Sequence, residues 1–472
     1  MKKRLLPLFL IALILISPLA SARQAQTSQS PPPTPRQPGR DTRPLLRSGP
    51  MLGYSDITQT EVWLQTEQPA DVQLRFWKQA DPASARLSAP ARTAEERDLI
   101  ARFTLSGLEF GTKYDYEVYI NGARVTLPYP TTFQTQPMWR WRSDPPAFRI
   151  AIGSCAYVND PPYDRPGRAY GGDYEVFTTL HQQKPDLMIW MGDNIYYREA
   201  DWLNEEAMRY RYAQNRALKE LQPLLASVHN YATWDDHDYG PNDSDRTFRL
   251  KDASLRIFKD YWANMTYGSR ETPGVFGRFE WADVEFFLLD DRYHRSPNHW
   301  PVGPDKVMLG EAQMRWLLES LRSSQATFKI VVNGNQVLNP VTLYETLTNF
   351  PSEQKRLLDF IRDNKISGVV FLSGDRHHTE LIKRVEPGMY PLYDFTSSPL
   401  TAGTGRNERE ANNPARVPDT WVTGVRNFGL IDVAGPARDR RLTLRAIDLT
   451  GKEWWKFEIR AADLQFPDDR QR

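Results

Sequence analysis

Between residues 148 and 372, short apolar runs alternate with longer stretches whose apolar residues recur at helical spacing. A short apolar run bounded by turn-forming residues is typical of a strand buried on both faces. Such runs occupy residues 148–152, 187–191, 284–289, 328–332 and 369–372. The intervening amphipathic stretches predict helices at residues 173–182, 204–222 (ended by Pro223), 252–265, 309–324 and 352–364. This alternation predicts an α/β fold, followed by antiparallel strands at 428–433, 442–448 and 454–459.

Residues 50–136 have a different pattern, in which apolar and polar residues alternate one by one. This alternation predicts strands with one buried face at residues 62–66, 72–77, 100–105 and 114–120. Asn121-Gly122 predicts a tight hairpin turn into a further strand at 125–127. Short strands at this spacing predict a small β-sandwich, which Pro145-Pro146 would close.

The first residues predict a targeting segment outside the fold. Lys2, Lys3 and Arg4 precede an apolar stretch at 5–16, and Ala20-Ser21-Ala22 offers a cleavage site after Ala22. This order is typical of a secretory signal, so we expect a secreted or periplasmic protein without a transmembrane segment after cleavage. The predicted organisation is a signal peptide, a Pro-rich linker, a β-sandwich domain and a catalytic domain that includes the C-terminal strands, at residues 1–22, 23–48, 49–137 and 145–472 respectively.

Charge and cysteine content narrow the function classes. The chain has 60 Lys and Arg residues against 59 Asp and Glu residues, so it shows no basic bias and no nucleic-acid-binding signature. Its single cysteine, Cys155, excludes an intramolecular disulfide. A lone thiol in an exported protein is either a small buried hydrophobe or a group with a chemical task.

Polar residues that can bind metals follow four of the predicted strands. The segments are Gly153-Ser154-Cys155, Gly192-Asp193 with Tyr196, Asp235-Asp236-His237-Asp238, and Gly374-Asp375 with His377. The carboxyl ends of strands are where open α/β sheets build their sites. Aspartate and phenolate are hard oxygen ligands that suit Fe(III), Mn, Ca or Mg. The four segments together therefore predict a metal site.

These segments resemble the calcineurin-like metallophosphoesterases, and more closely their PhoD-like alkaline phosphatase/phosphodiesterase family. The motifs G-D-x-x-Y, D-D-H-[DE] and G-D-x-H are all present, and residues 309–317 look like the family's L-G-x-x-Q-x-x-W-L helix. The resemblance covers roughly residues 145–435. It implies a four-layer αββα domain, and residues 105–116 resemble the tyrosine-corner region of a fibronectin type III-like β-sandwich.

The resemblance also implies a ligand set. Cys155, Asp193, Tyr196 and His377 would hold Fe(III), and Asp193 would bridge to Ca(II) at a position completed by Asp236, Asp375 and Asn242. Asn335 stands where the wider superfamily has a histidine ligand. Manganese, zinc or magnesium are the other metals that such a site accepts. Lys2-Lys3-Arg4 departs from the twin-arginine signal that is frequent in the family.

The implied activity is hydrolysis of phosphomonoesters or phosphodiesters, on small molecules or polymers, by in-line attack of a metal-bound hydroxide. His237 and Asp193 would be catalytic, and Arg165, Arg168 and Arg198 would bind the phosphate. We expect a monomer. The alternatives are a strict phosphodiesterase or phospholipase D-like enzyme on the same scaffold, and a non-catalytic secreted protein that binds through its sandwich. Asp290 and Asp291 match no motif and have no assigned role.

Overall fold

A computed structural model describes residues 45–405 and 408–466 of the chain. The predicted signal peptide and most of the predicted linker lie outside the described residues. The first strand begins at Leu46, two residues before the predicted end of the linker. In the part that the structure describes, none of the helices is both long enough and apolar enough to cross a bilayer.

Within the described residues, the N-terminal part forms nine strands in two sheets. The strands are β1 (Leu46–Ser55), β2 (Thr60–Thr66), β3 (Asp71–Lys78), β4 (Asp81–Leu87), β5 (Ala91–Arg92), β6 (Ile100–Leu105), β7 (Lys113–Ile120), β8 (Ala123–Arg124) and β9 (Thr132–Gln134). One sheet has the order β1-β2-β6, and the other contains β4-β3-β7-β8 with β5 beside β3 and β9 beside β7. The inward side chains of both sheets form one hydrophobic core, so this part is the predicted β-sandwich.

The hairpin after β7 differs from its prediction in length. Asn121 and Gly122 form the turn, and Ile120 pairs with Ala123 directly across it. The returning strand therefore comprises only Ala123–Arg124 and not the predicted residues 125–127. Two prolines follow within a few residues, at positions 128 and 130, and proline cannot donate to a strand ladder.

After the sandwich, the residues that the structure describes form twelve strands and seven α-helices. The strands are β10 (Phe148–Gly153), β11 (Leu187–Met191), β12 (His229–Thr233), β13 (Gly277–Trp281), β14 (Val284–Leu288), β15 (Phe328–Val332), β16 (Val369–Ser373), β17 (Glu380–Arg384), β18 (Leu392–Thr396), β19 (Asn427–Ala434), β20 (Arg441–Asp448) and β21 (Glu453–Arg460). The helices are α1 (Glu175–Gln182), α2 (Glu205–Arg216), α3 (Gln222–Ser227), α4 (Asp236–Tyr239), α5 (Lys251–Tyr261), α6 (Glu311–Ser323) and α7 (Pro351–Asp363).

These strands form two six-stranded mixed sheets. The first has the order β12-β11-β10-β19-β20-β21, in which β10, β11 and β12 are parallel and β19 to β21 are antiparallel, as predicted for the C-terminal strands. The second has the order β13-β14-β15-β16-β18-β17, with parallel pairing from β14 through β18. The predicted apolar runs are the central parallel strands, because these are covered on both faces.

The alternation of side chains along β11 shows how the layers stack. Met188 and Trp190 pack in one core with residues of α1, α2, α3 and α5. Leu187 and Ile189 point to the opposite face and pack in a second core with β14, β15, β16, α6 and α7. Helices, two facing sheets and further helices thus form the predicted four-layer αββα arrangement.

The predicted helix at residues 204–222 is wrong, because the chain breaks there. Helix α2 ends at Arg216, a short 3-10 turn follows, and α3 begins at Gln222. Pro223 lies in the first turn of α3 and does not end the preceding helix. Proline is tolerated at that position because the first-turn amides have no partner within the helix.

The β-sandwich packs directly on the first large sheet. Met51 and Trp63 belong to the same core as Trp190. The indole Nε1 of Trp63 donates to the carbonyl oxygen of Asp260 (2.9 Å), and the amide of Tyr54 donates to that of Ala263 (2.8 Å). The two parts therefore share buried apolar surface and backbone hydrogen bonds.

Candidate metal centre

The carboxyl ends of the parallel strands of both sheets meet at one edge of the molecule. Gly374, just after β16 of the second sheet, contacts the segments that follow β10 and β11 of the first. A methyl group on Gly374 would lie 2.5 Å from Ser154 Cβ and 2.6 Å from the carbonyl oxygen of Met191. Only a residue without a side chain allows this approach, which brings the four predicted ligand segments together.

Four of the predicted ligands have a left-handed backbone. The φ angles are 61° at Cys155, 52° at Asp193, 67° at Asp375 and 54° at His377. Such angles cost a non-glycine residue about 1–3 kcal/mol, and they cluster at functional sites. Each of these residues lies in the turn that follows its strand, so the strained backbone aims its side chain into the shared centre.

A first group of ligand atoms comes from Cys155, Asp193 and His377, and these atoms lie within 4.8 Å of one another. The Cys155 Sγ is 3.5 Å from Asp193 Oδ2. The Tyr196 hydroxyl lies 2.9 Å from Asp193 Oδ2 and 3.2 Å from His377 Nε2. All four side chains that the resemblance assigns to iron therefore converge on one point.

The orientation of His377 is set by its neighbours. Its Nδ1 is 2.8 Å from the carbonyl oxygen of Gly403, which can only accept a hydrogen bond. Nδ1 therefore carries the proton and Nε2 presents its lone pair to the centre. A ligating histidine is commonly fixed in this way by a partner on its other nitrogen.

A second, oxygen-rich group adjoins the first. Ligand atoms of Asp235, Asp236 and Asp375 lie within 4.8 Å of one another, as do those of Asp193, Asp236 and His237. Asp193 belongs to both groups, which agrees with a bridging position. Asn242 borders the same cavity as Asp236.

Burial and neighbouring charges change the protonation of these groups. Burial, followed by the negative charges of Asp236 and Cys155, raises the pKa of Asp193 far above its usual range. Burial also raises the pKa of Cys155 to about 11 and that of Asp375 to about 7. Burial, followed by Asp193, raises the pKa of Tyr196 well above its ordinary value. Because a cation at the centre would offset this crowding of negative charge, the donor set fits a metal.

The carboxylate of Asp236 has one buried oxygen to which no group donates among the described residues. Although burial opposes ionisation, His237 and Arg292 lower the pKa of Asp236, so its carboxyl is charged. Its Oδ2 accepts from the Asp243 amide (2.8 Å), whereas its buried Oδ1 has no hydrogen-bond partner among the described residues. A buried carboxylate oxygen without a donor is costly, and a bound cation would satisfy it.

His237 is held beside the centre by two contacts. Its amide donates to Asp193 Oδ1 (3.2 Å), and its ring lies on that of Tyr196 with centroids 4.1 Å apart. Burial lowers its pKa below the usual value, although Asp236 opposes this. Its side chain keeps 21% of its accessible surface, so the ring can meet a ligand that enters from solvent.

The centre forms the floor of a polar cavity of about 1060 Å³. Arg168 lines this cavity, as predicted for a phosphate-binding residue, and Tyr170, Tyr344 and Arg426 line it as well. Arg165 is exposed and lies close enough for its charge to contribute to the lowered pKa of His237.

Two predicted site residues are not brought to the centre. The guanidinium of Arg198 donates to Asp164 and to the backbone carbonyls of Tyr196 and Val158, and it does not line the cavity. The Asn335 amide oxygen accepts from Arg295 (2.9 Å) while its nitrogen donates to Asp235 (2.9 Å). Both side chains thus hold the protein framework, and we no longer assign Arg198 to phosphate or Asn335 to a metal.

Several residues at the site have no motif of their own. Arg292 and Arg295 are completely buried and both form ion pairs with Glu345, which lines the cavity. Ser398 donates its hydroxyl to Cys155 Sγ (3.1 Å). Asp290 accepts from the indole of Trp234 and from three backbone amides, so it has a structural role. The only sequence signal for this group is the charged stretch 290–295 directly after an apolar run.

Two solved structures have a similar fold. The structure of PhoD superimposes with a TM-score of 0.70 at 16% identity, covering 87% of this chain and 91% of that one. The purple acid phosphatase PPD1 from yellow lupin (Lupinus luteus) seeds superimposes with a TM-score of 0.60 at 11% identity, covering 87% of this chain and 74% of that one. These likenesses assign the fold to the metallophosphatases.

The sequence identifies the family. The model of the PhoD-like phosphatases matches residues 150–436, more than half of the chain, and the chain belongs to this family. Residues 43–138 match a domain of unknown function (DUF7800). Alkaline phosphatase D of Bacillus subtilis (strain 168) is 23% identical over 299 residues, which is 53% of this chain and 50% of that protein. The match thus spans about half the length of this curated relative.

Proposed function

We propose that the chain is an exported, metal-dependent phosphoesterase that hydrolyses phosphomonoesters, phosphodiesters or both. The observation that carries the proposal is the convergence of Cys155, Asp193 and His377, whose ligand atoms lie within 4.8 Å of one another at the floor of an open cavity. Membership of the PhoD-like phosphatases and the similarity to an alkaline phosphatase support it. A protein that only binds through its sandwich would have no need of this centre.

The residues divide between two kinds of metal. Cys155, Tyr196, His377 and Asp193 offer thiolate, phenolate, imidazole and carboxylate donors, and this set suits Fe(III). Asp236, Asp375 and Asn242 offer oxygen only, which suits Ca(II) and also fits Mg or Mn. When bound, such cations lower the pKa of water and offset charge on phosphate oxygens.

The chain's own residues would orient the phosphate ester and supply a proton. Arg168 lines the cavity and would clamp two phosphate oxygens with its planar guanidinium. His237 would protonate the leaving alkoxide, since its ring borders the cavity and the neighbouring Asp236 carboxylate, 4.0 Å from its Nε2, favours the protonated imidazole against the effect of burial. The His237 amide donates to Asp193 Oδ1 (3.2 Å), and this contact would hold the Asp193 carboxylate in one orientation when metals are bound.

Metal content and ester hydrolysis of the purified protein test this proposal together. We expect stoichiometric iron, a visible phenolate-to-iron absorption band, and calcium-dependent hydrolysis of p-nitrophenyl phosphate or its bis ester. Tyr196→Phe removes the phenolate and should abolish the band. Tyr197→Phe is the matched control, because Tyr197 is an equally buried neighbour whose hydroxyl has no hydrogen-bond partner among the described residues.

The outcomes separate the alternatives. The ratio of the two hydrolysis rates distinguishes a monoesterase from a strict diesterase. A folded protein that binds no metal and cleaves neither ester would overturn the enzymatic proposal and favour a binding role for the sandwich. Export is tested by N-terminal sequencing of the mature protein, which should begin at Arg23.

A further inference from the structure

A buried ionic cluster surrounds the loop that carries Asp375 and His377, and two of its members, Arg376 and His378, also line the cavity. Its members are Arg376 and His378 in that loop, Glu380 at the start of β17, and Glu410 and Arg416. The last two belong to residues 408–416, which we call the crossing segment. Glu380, Glu410 and His378 are 0%, 1% and 3% exposed. None of these five residues has a part in the proposed chemistry.

Glu410 is the centre of the cluster. Its carboxylate forms an ion pair with Arg376 and lies 3.4 Å from His378 Nδ1. His378 Nε2 in turn lies 3.2 Å from Glu380. A glutamate from the crossing segment thus contacts both residues that flank His377 in sequence.

The cluster has the donors of a metal site but not the charge of one. Ligand atoms of His378, Glu380 and Glu410 lie within 4.8 Å of one another. However, Arg376 pairs with Glu410 and Arg416 pairs with Glu380 (2.6 Å), so each carboxylate already has a buried counter-ion. A divalent cation added here would leave two uncompensated positive charges in a buried place. The arrangement therefore fits a set of ion pairs that holds the loop and β17 against the crossing segment.

Residues 403–405, which come before the crossing segment in the chain, contact the metal centre. The carbonyl oxygen of Gly403 accepts from His377 Nδ1 (2.8 Å), and Gly403 and Gly405 line the cavity. Further along, Arg416 donates to the backbone carbonyl of Glu410 (2.7 Å). Residues 403 and 405 thus border the cavity, Gly403 orients a ligand histidine, and Glu410 comes from the crossing segment that follows in the chain.

We propose that Glu410 is a positioning residue that, through Arg376 and His378, holds the loop at residues 374–379 in the conformation that aims Asp375 and His377 at the centre. Both ligands have a left-handed backbone, with φ of 67° and 54°, which the surrounding contacts must enforce. This inference rests on the proposed metal-dependent function, because it assigns Glu410 to the same centre.

The test compares Glu410→Gln with Glu408→Gln in the full chain. Gln keeps the shape of Glu410 but removes its charge, whereas Glu408 is an exposed glutamate of the same short helix. In metal-free protein, the Gly374 and His377 amides donate to Gly334 O and Ser398 Oγ, both at 2.9 Å. We expect their hydrogen exchange to accelerate about tenfold in Glu410→Gln and less than twofold in Glu408→Gln.

Two further readouts separate positioning from general stability. Mutation of residues that orient metal ligands weakens metal binding by about 10- to 100-fold. If Glu410 orients Asp375 and His377 through Arg376 and His378, iron should leave Glu410→Gln faster on dialysis against chelator. We expect kcat to fall about tenfold while KM changes less than twofold, because the ligands Asp375 and His377 are displaced, whereas Arg168, the proposed phosphate clamp, lies outside this loop. A lowered Tm with wild-type loop exchange, iron retention and kcat would overturn the proposal.

The result stays decisive if Glu410→Gln does not fold or the wild type is inactive. If Glu410→Gln does not fold, Glu410→Asp replaces it, because Asp keeps the charge but is one methylene shorter. Faster exchange of the Gly374 and His377 amides in Glu410→Asp would support the proposal, and wild-type exchange would overturn it. A wild type without metal or activity overturns the proposed function, whereas a metal-loaded, active Glu410→Gln with normal loop exchange overturns only the role of Glu410.

Discussion

Two arginines near the cavity differ in what their guanidinium groups already contact. Arg198 is 6% exposed, pairs with Asp164 at 2.9 Å and lies over the ring of Tyr157. Arg168 is exposed and borders the cavity. The same residue type thus supports the framework in one place and borders the cavity in the other.

Alanine at each position should separate these roles. Arg198→Ala leaves the Asp164 carboxylate without its buried partner, and we expect the free energy of unfolding to fall by about 3 kcal/mol. Arg168→Ala should leave that free energy within about 0.5 kcal/mol and raise KM for a phosphate ester. Urea unfolding and steady-state kinetics measure the two effects, and a raised KM at unchanged stability in Arg198→Ala would reverse the assignment.

At the scale of elements, the sequence predicted the strands better than the side chains that support the site. The apolar runs gave β10, β11, β14, β15 and β16, because burial on both faces leaves an unbroken pattern. They did not give the parallel strands β12 and β18, because polar residues interrupt both sequences. The helix at 204–222 was wrong because periodicity continues across the break before Gln222. Cys155, Asp193 and His377 belong to strand-end motifs, whereas Glu345, Ser398 and Glu410 reach the site from loops that carry no pattern.

The meeting of the two sheets depends on Gly374. A Cβ there would overlap Ser154 and the Met191 carbonyl oxygen, so Gly374→Ala forces the strand ends apart. We expect a loss of about 3 kcal/mol in unfolding free energy together with loss of bound metal. Gly303→Ala is the control, because a Cβ there has no atom within 4 Å. Metal retention at wild-type level in a folded Gly374→Ala protein would contradict this account.

At the scale of the whole molecule, His229 joins the sandwich to the first large sheet. Its Nδ1 donates to the carbonyl oxygen of Gly53 in β1 (2.9 Å), and the ring is buried between the two parts. Burial lowers the pKa of His229 to about 4. Unfolding restores its ordinary value, so the unfolded chain binds an extra proton between about pH 4 and 6.5.

Stability should therefore rise with pH across this window, and be lost as pH falls from about 6.5 towards 4. Between pH 6.5 and 5 the contribution of His229 is about 2 kcal/mol, since each pKa unit corresponds to about 1.4 kcal/mol. His229→Asn keeps a donor for Gly53 but does not titrate, so urea unfolding of metal-free protein should show a shallower slope. The exposed His299→Asn should keep the wild-type slope, and equal slopes in both variants would contradict the prediction.

The left-handed backbone at the ligand positions lowers the stability of the fold, so selection for stability and selection for metal binding favour different residues there. Under selection for stability alone, Cys155 and His377 would drift to glycine or asparagine, which adopt such angles at lower cost. A library selected only for thermal survival should therefore erase the centre while leaving the fold intact. Retention of cysteine and histidine at these places in a diverging lineage is consequently a record of selection for the metal, independent of any assay.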